Sequence, residues 1–585
     1  MKKSIFTLLI IFISTINIFA QNWQNKVDAR LKIFDGTTEQ FEFLVQFANQ
    51  ADISQSKFLT DKTAKGTLVM ERLQANAKIT QANIIDILDC KGTPFQDFWV
   101  ANVIWIYGDY ELVEQIAEQP EVLRISENSR MKILEPIEPE PTAEDLNKSI
   151  EFTWGVLQMN ANNVWKRGYR GKGVVIGGQD TGYEWQHESL KSKYRGWDGT
   201  NANHNYNWHD AIHEFDSKHD TTLNPCGLDV NFPCDDHNHG THTMGTMVGG
   251  TETLKIGVAP DATWIGCRNM ERGWGTPQTY LECFQWFLAP TDLNGENPDP
   301  SKAPHVINNS WGCPEVEGCN PNNFSILEAA VNNLKAAGVV VVVSAGNSGP
   351  NCETINTPAA IFENSFTIGA IGENEVIAAF SSRGLVTVDG SNHMKPNVVA
   401  PGVNVKSAIR GGDLYANFSG TSMAGPHVAG VVALLISADP TLAGDVERIE
   451  TIIEQTAIDK ITSQTCDGAD GNSIPNFVYG YGTVDALAAL DAVLAEIPAT
   501  AAERFNVYPN PTTDIITFQN IGFEGQLQLQ IFAADGKQVV NKTLNYSGGN
   551  KLRTIDLNKY GNGVYYYRLC DESGESCFEG RILKN

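Results

Sequence analysis

Basic residues are scarce in this chain of 585 amino acids: 43 Lys and Arg stand against 69 Asp and Glu, a net charge of -26. Nucleic acid and anionic membrane surfaces would repel such a protein, so neither is expected as a partner. Long apolar runs are also wanting. The first twenty residues join Met1-Lys2-Lys3 to an apolar stretch over residues 5–13 and end on a small residue, Ala20, in the manner of a secretory signal peptide. Beyond them no run is expected to reach the roughly eighteen apolar residues of a membrane span. Two metal-site patterns are missing too, since there is no Cys-x-x-Cys pair and no His-Glu-x-x-His. No internal repeat is evident, which argues against a solenoid.

Cysteine is present, and export changes its reading, because an oxidising compartment permits disulfides. Cys90 lies alone, eight cysteines fall between Cys226 and Cys466, and Cys570 and Cys577 close the chain. Cys226 with Cys234, Cys313 with Cys319, and Cys570 with Cys577 are near enough in sequence for short loops, while the overall connectivity stays open.

At 42% hydrophobic residues the chain can build real cores, and its length calls for several folding units. After the signal peptide at 1–20, residues 21–135 read as a small α+β unit. Residues 41–47 carry an apolar side chain at every odd position, as a strand would, and residues 67–77 read as helix. The prolines and charges of Glu135-Pro136-Ile137-Glu138-Pro139-Glu140-Pro141 open an extended linker over 136–150. Residues 151–495 alternate short β-branched runs (174–176, 263–265, 305–307, 339–343, 367–371) with helical stretches. That alternation predicts an α/β domain, a parallel sheet with helices on both faces. Ser325-Ile326-Leu327-Glu328 is expected to cap one of those helices and Gly338 to stop it. A second linker, 496–504, precedes residues 505–585, whose strand-like runs at 515–518, 527–532 and 564–569 predict an all-β module.

Four strings in the α/β domain carry chemistry. Asp180, in Gly177-Gly178-Gln179-Asp180-Thr181-Gly182, follows a strand, where an open α/β sheet places its site. His239 lies in Asp236-His237-Asn238-His239-Gly240-Thr241-His242, with His242 assigned to the core. Asn347, in Ala345-Gly346-Asn347-Ser348-Gly349, ends another buried strand and can donate from its amide. Ser422, in Gly420-Thr421-Ser422-Met423-Ala424-Gly425-Pro426, opens an apolar helix whose first turn offers free N–H groups and accommodates a proline. These supply the orienting carboxylate, the base, the oxyanion donor and the nucleophile that peptide hydrolysis needs.

In that order the four strings resemble the subtilisin-like serine peptidase family. The resemblance implies a secreted serine endopeptidase acting on protein or peptide substrates through an acyl-enzyme, with no cofactor required for the chemistry. It implies that Ser310, Trp311 and Gly312 on one side, and Gly273, Trp274 and Gly275 on the other, flank a substrate bound as an added strand. It also implies that residues 21–135 are a propeptide, which assists folding and inhibits until cleaved. Many relatives bind calcium, and the insertion from Trp197 to Asp236 carries Asp198, Asp210, Asp216, Asp220 and Asp229; with no recognisable ligand spacing, solvated surface is the expectation there. The tail, through Val507-Tyr508-Pro509-Asn510-Pro511, Asp535-Gly536 and Gly563-Val564-Tyr565, resembles the C-terminal sorting domains of type IX secretion. That resemblance implies secretion machinery as a partner and a secreted or cell-surface location. The rival reading is a catalytically inactive relative that only binds peptide in its cleft; it predicts a gap in at least one motif, and the four strings leave none.

Overall fold

A computed structural model describes residues 23–133, 135–137, 151–215, 224–312, 319–321, 323–466 and 471–495, and in the tail 505–508, 510–520, 525–534, 536–546, 552–570 and 577–585. The expected signal peptide, most of the first linker and all of the second lie outside those residues. Two compact units emerge, Met1–Val493 and Leu494–Asn585.

The larger unit is built on a seven-stranded sheet whose pairings are all parallel. Across it run Val398–Pro401, Phe366–Ile371, Val340–Ser344, Val306–Asn309, Val175–Asp180, Thr263–Arg268 and Trp208–Asp210. Val175–Asp180, first of these in the chain, has strands added on both flanks, so the direction of winding reverses beside it and leaves a crevice at its carboxyl end. The five β-branched runs expected from the sequence all fall on strands of this sheet. Its interior strands are buried on both faces, which is why they read as continuous apolar runs rather than as alternation.

Gly177 and Gly178 mark the two faces. A Cβ on Gly177 would meet Phe287 at 2.7 Å, and one on Gly178 would meet the Tyr183 hydroxyl at 2.4 Å and Met244 at 3.1 Å. Helices Pro277–Leu288 and Phe324–Ala336 pack together on the first face, His239–Val248 and Thr421–Ala438 together on the second. The 18-residue helix Thr421–Ala438 is long and apolar enough to cross a membrane by length and composition, and 89% of it is buried inside the protein. The sequence shows it as an apolar helix but not as an unbroken apolar run, because glycine, alanine and serine interrupt its aliphatic residues; those small residues let the helix lie close against the sheet.

Two local expectations need correction. Ser325 does not cap its helix. The N-cap is Asn323, and the Ser325 hydroxyl instead donates to the Gln46 amide oxygen at 3.1 Å. Gly338, at φ +85°, does follow directly where that helix ends. Pro426 lies deeper in its helix than the first turn. Its missing N–H frees the carbonyl of Ser422, which accepts from the Ser310 hydroxyl at 3.4 Å.

The N-terminal residues form an antiparallel sheet in the order Phe95–Phe98, Val103–Gly108, Phe41–Phe47, Val122–Glu127. Its odd-numbered apolar residues Phe43, Val45 and Phe47 join Ile84, Leu88 and Ile116 in a core of their own. On the other face Leu44, Phe98 and Val103 enter the same apolar cluster as Phe284, Phe287 and Leu327 of the large domain. Polar bonds line this junction: Asn333 donates to the carbonyl of Val100 at 2.7 Å, and Gln96 to Glu282 at 2.8 Å. Glu282 also receives His209 at 2.7 Å and His213 at 3.0 Å.

In the smaller unit a three-stranded and a four-stranded antiparallel sheet share one core that includes Phe518, Leu529, Ile531, Ile555, Tyr567 and Ile582. Three disulfides, Cys226–Cys234, Cys267–Cys283 and Cys352–Cys466, join described residues of the large unit. Cys319 and Cys570 are disulfide-bonded as well, and Cys90 is free.

The packing over Gly177 yields a direct test. Gly177→Ala must displace Phe287, Ile307 and Pro304, each within 3.0 Å of the new carbon. The expected loss is about 1–3 kcal/mol of stability, read as a lower denaturant midpoint at unchanged slope.

Candidate active site

At the carboxyl end of Val175–Asp180 the Asp180 side chain is 1% exposed. Ionised carboxylates survive such burial only when surrounded by donors. Asp180 has three: the N–H of Thr181 at 2.8 Å, the Thr243 hydroxyl at 3.4 Å, and Nδ1 of His239 at 2.8 Å. A carboxylate accepts, so His239 carries its proton on Nδ1 and presents a lone pair at Nε2. His239 is the first residue of helix His239–Val248, and its ring is fully buried.

Ser422 is the second residue of Thr421–Ala438, on the helix that packs against His239–Val248. Asn347 stands beside it. Its amide oxygen accepts from both the N–H and the hydroxyl of Thr421, each at 2.9 Å, so its NH2 group is turned away from Thr421. A Cβ on Gly420 would lie 3.3 Å from that nitrogen. Three buried atoms here have no hydrogen-bond partner: Nε2 of His239, Oγ of Ser422 and Nδ2 of Asn347. His239 and Ser422 therefore do not hydrogen-bond each other in this structure. A base, a hydroxyl and an amide donor, all buried and all unengaged, are the groups a reacting carbonyl would use.

Asp235, which the motif reading left out, organises the approach to His239. Its carboxylate accepts from the N–H groups of His237, Asn238 and Thr241 at 2.9, 3.1 and 3.0 Å, and from the hydroxyls of Thr181 at 2.9 Å and Thr241 at 2.5 Å. The available signal was an aspartate just ahead of a helix start, the usual chemistry of a cap. Glycine is required where the two loops meet. A Cβ on Gly182, at φ +104°, would fall 1.8 Å from the Cys234 carbonyl oxygen, and one on Gly240 would fall 2.1 Å from that of Gly182.

Arg268, fully buried, ends the strand beside Asp180 and donates to Asp210 at 2.9 Å; Asp236 lies 3.7 Å from its guanidinium. Burial pushes the Asp210 carboxyl up and Asp236 well up, and the nearby guanidinium opposes both shifts. The insertion's other carboxylates also have protein partners. Asp229 meets His213 at 2.5 Å, and Asp198 accepts from the N–H groups of Thr200 and Asn201 at 2.7 and 2.6 Å. Asp216 and Asp220 lie outside the described residues.

Ser310 is buried, accepts from Asn308 at 2.9 Å and donates to the Ser422 carbonyl; Trp311 is core, its ring centroid 4.1 Å from that of Tyr280. The expected cleft between 310–312 and 273–275 is filled by the chain's own residues 131–133 and 135–137. Met131 and Lys132 pair antiparallel with Gly275 and Trp274, the N–H of Ile133 donates to Gly273 at 2.8 Å, and Ile133 bridges to Trp311. The Lys132 ammonium lies 5.6 Å from the centre of the Trp274 ring. Ile137 then exchanges two backbone hydrogen bonds, 2.8 and 3.0 Å, with Ser419, three residues before Ser422.

Residues 171–482 match the Subtilase family, and residues 506–580 match the Secretion system C-terminal sorting domain. Bacillopeptidase F of Bacillus subtilis (strain 168) is 34% identical over 507 residues, 81% of this chain and 33% of that protein. Serine protease AprX of the same strain is 34% identical over 237 residues, 36% of this chain and 51% of that protein. The chain thus spans between a third and a half of these relatives' length. Subtilisin E, also from Bacillus subtilis (strain 168), is 25% identical over 452 residues and is covered to 95%. Among solved structures, the epidermin leader peptide processing serine protease EpiP from Staphylococcus aureus superposes with a TM-score of 0.56 at 17% identity. That match covers 78% of this chain and 99% of the other, a likeness of fold.

Three histidines give the large unit a pH signature. Burial holds His242 and His305 down to about 3 and His427 to about 4, against an ordinary 6.5. The unfolded chain takes up these protons first as pH drops, so their contribution is complete above about 6.5 and disappears as pH falls toward 4 and 3. The denaturation midpoint should decline across that window, and His427→Gln should flatten the slope by up to about 1.4 kcal/mol per pH unit.

Proposed function

We propose, from the fact that this chain belongs to the subtilase family, that it is an exported serine endopeptidase with Asp180, His239 and Ser422 as its triad and Asn347 as oxyanion donor. The observation that carries the reading is the open Nε2 of His239, fixed as an acceptor by the Asp180 bond, on a helix packed against the one that bears Ser422. Ser422 Oγ attacks the substrate carbonyl while His239 Nε2 takes its proton. Asp180 keeps the ring oriented and stabilises the imidazolium that forms. Negative charge on the carbonyl oxygen receives the Asn347 amide and the Ser422 N–H, the latter free of helical bonding because it lies in the first turn. His239 then protonates the leaving amine, and water, deprotonated by the same nitrogen, releases the acyl group. A protein group serves every step.

Residues 131–133 and 135–137 support a second element, inhibition by the chain's own N-terminal unit. They form an added strand against Trp274–Gly275 and continue to Ser419, as a peptide substrate would. The bond cut at maturation is then one of those between Ile133 and Ile137, and loss of residues up to that bond frees the cleft. The sorting-domain match at residues 506–580 marks the chain for a secreted or cell-surface location; recognition of that domain by secretion machinery belongs to this proposal.

Ser422→Ala is expected to abolish labelling by an active-site serine reagent and hydrolysis of denatured casein, and to leave the N-terminal unit uncleaved. Labelling that survives the substitution overturns the triad. Asn347→Ala should lower kcat about a hundredfold or more with KM little changed, the usual effect of losing one oxyanion donor.

A further inference from the structure

Proteolysis as described leaves one pair of side chains in the cleft unused. Glu135 lies between Ile133, held by Gly273, and Ile137, held by Ser419, so each of the bonds assigned above to the maturation cut lies within two residues of it. Its carboxylate faces two basic side chains, the Lys132 ammonium at 3.1 Å and, at 3.9 Å, Nε2 of the His237 imidazole. Lys132 belongs to the bound segment. His237 belongs to the enzyme, two residues before His239, and its Cδ2 would be 3.8 Å from a Cβ on Gly273, the residue to which Ile133 is bonded. The inner nitrogen of His237, Nδ1, is buried and unpartnered, so the polar contact of this ring with the cleft runs through Nε2.

We propose that His237 is a specificity-determining residue that selects peptides carrying an acidic side chain within two residues of the scissile bond, at the position Glu135 occupies. The inference rests on the proteolytic reading above and names the substrate class of that site. Met131 and Ile133, both buried in the cluster that holds Tyr280 and Trp311, supply the apolar half of the recognition. The polar half is local. A net charge of -26 repels acidic peptides at long range, yet salt screens that field beyond about 8–10 Å, whereas the contact with His237 lies inside it.

Five ionisable groups bear on His237 or on its carboxylate partner. Burial and the neighbouring His239 hold the ring below the usual imidazole range, and Asp235, Glu135 and Asp180 act in the opposite direction. Lys132 competes for the same carboxylate. The ring is therefore neutral around pH 7 and gains its charge as pH falls, so selection for acidic residues strengthens toward lower pH. It fades again only where the substrate carboxylate itself protonates, near about 4.3.

The test is cleavage-site profiling of a denatured peptide mixture by the mature enzyme, with Ser422→Ala as blank. From pH 8 down to pH 5, the enrichment of Asp and Glu over Asn and Gln within two residues of the cut should rise from parity, toward at most about fivefold. His237→Gln should give parity at both pH values, and His237→Lys should restore the enrichment at pH 8. Parity in the unsubstituted enzyme across that whole range, or enrichment that persists in His237→Gln, overturns the inference while leaving proteolysis standing. Absence of any cut by the unsubstituted enzyme overturns both.

Discussion

The hydrogen bond between Asp180 and Nδ1 of His239 governs the design of the large domain. A carboxylate with 1% exposure loses nearly all of its hydration, a penalty of several kcal/mol unless fixed donors replace the water. Those donors come from separate places in the chain. Thr181 follows the strand, and His239 and Thr243 come from one helix. Satisfying one buried charge therefore fixes how that helix seats at the end of the sheet. The same fixation decides which nitrogen of His239 is left with a lone pair.

The surroundings keep that arrangement from relaxing. Asp235 ties Thr181 to the start of the helix, so the residues after Asp180 and those before His239 move as one piece. Gly182 and Gly240 let the loops approach more closely than any side chain allows. Pro426 releases the Ser422 carbonyl to bond Ser310, which joins helix Thr421–Ala438 to the residues that follow strand Val306–Asn309. Each device gives up local freedom to fix a distance, the bargain expected where chemistry demands accurate placement.

Much of this was legible in the sequence, for identifiable reasons. Strands buried on both faces leave a continuous apolar run, and five such runs were readable as the sheet. The strings around Asp180, His239, Asn347 and Ser422 stood out because each couples a reactive side chain to glycines or small residues at the end of an element. Other features depended on partners far away in the chain. Asp235 looks like one more acidic residue until Thr181 and Thr241 are seen to converge on it. Ser325 had the spacing of a cap, but Gln46 of the N-terminal sheet engages its hydroxyl. The union of Leu44 and Val103 with Phe284 and Leu327 in one core could not be read from either segment alone. His237 was overshadowed by His239, since nothing local distinguishes a ring that meets Glu135 of a distant segment from one that meets Asp180.

The disulfide from Cys352 to Cys466 spans 114 residues and encloses Ser422. Any single backbone cut between those two cysteines yields two pieces that remain covalently tethered, with the severed ends held near one another. Under the proposed proteolytic activity, with copies of the same protease around it after export, such a tether keeps the first nick from becoming dissociation. The crosslink forms only under oxidising conditions, so this tolerance would be acquired on leaving the cytoplasm.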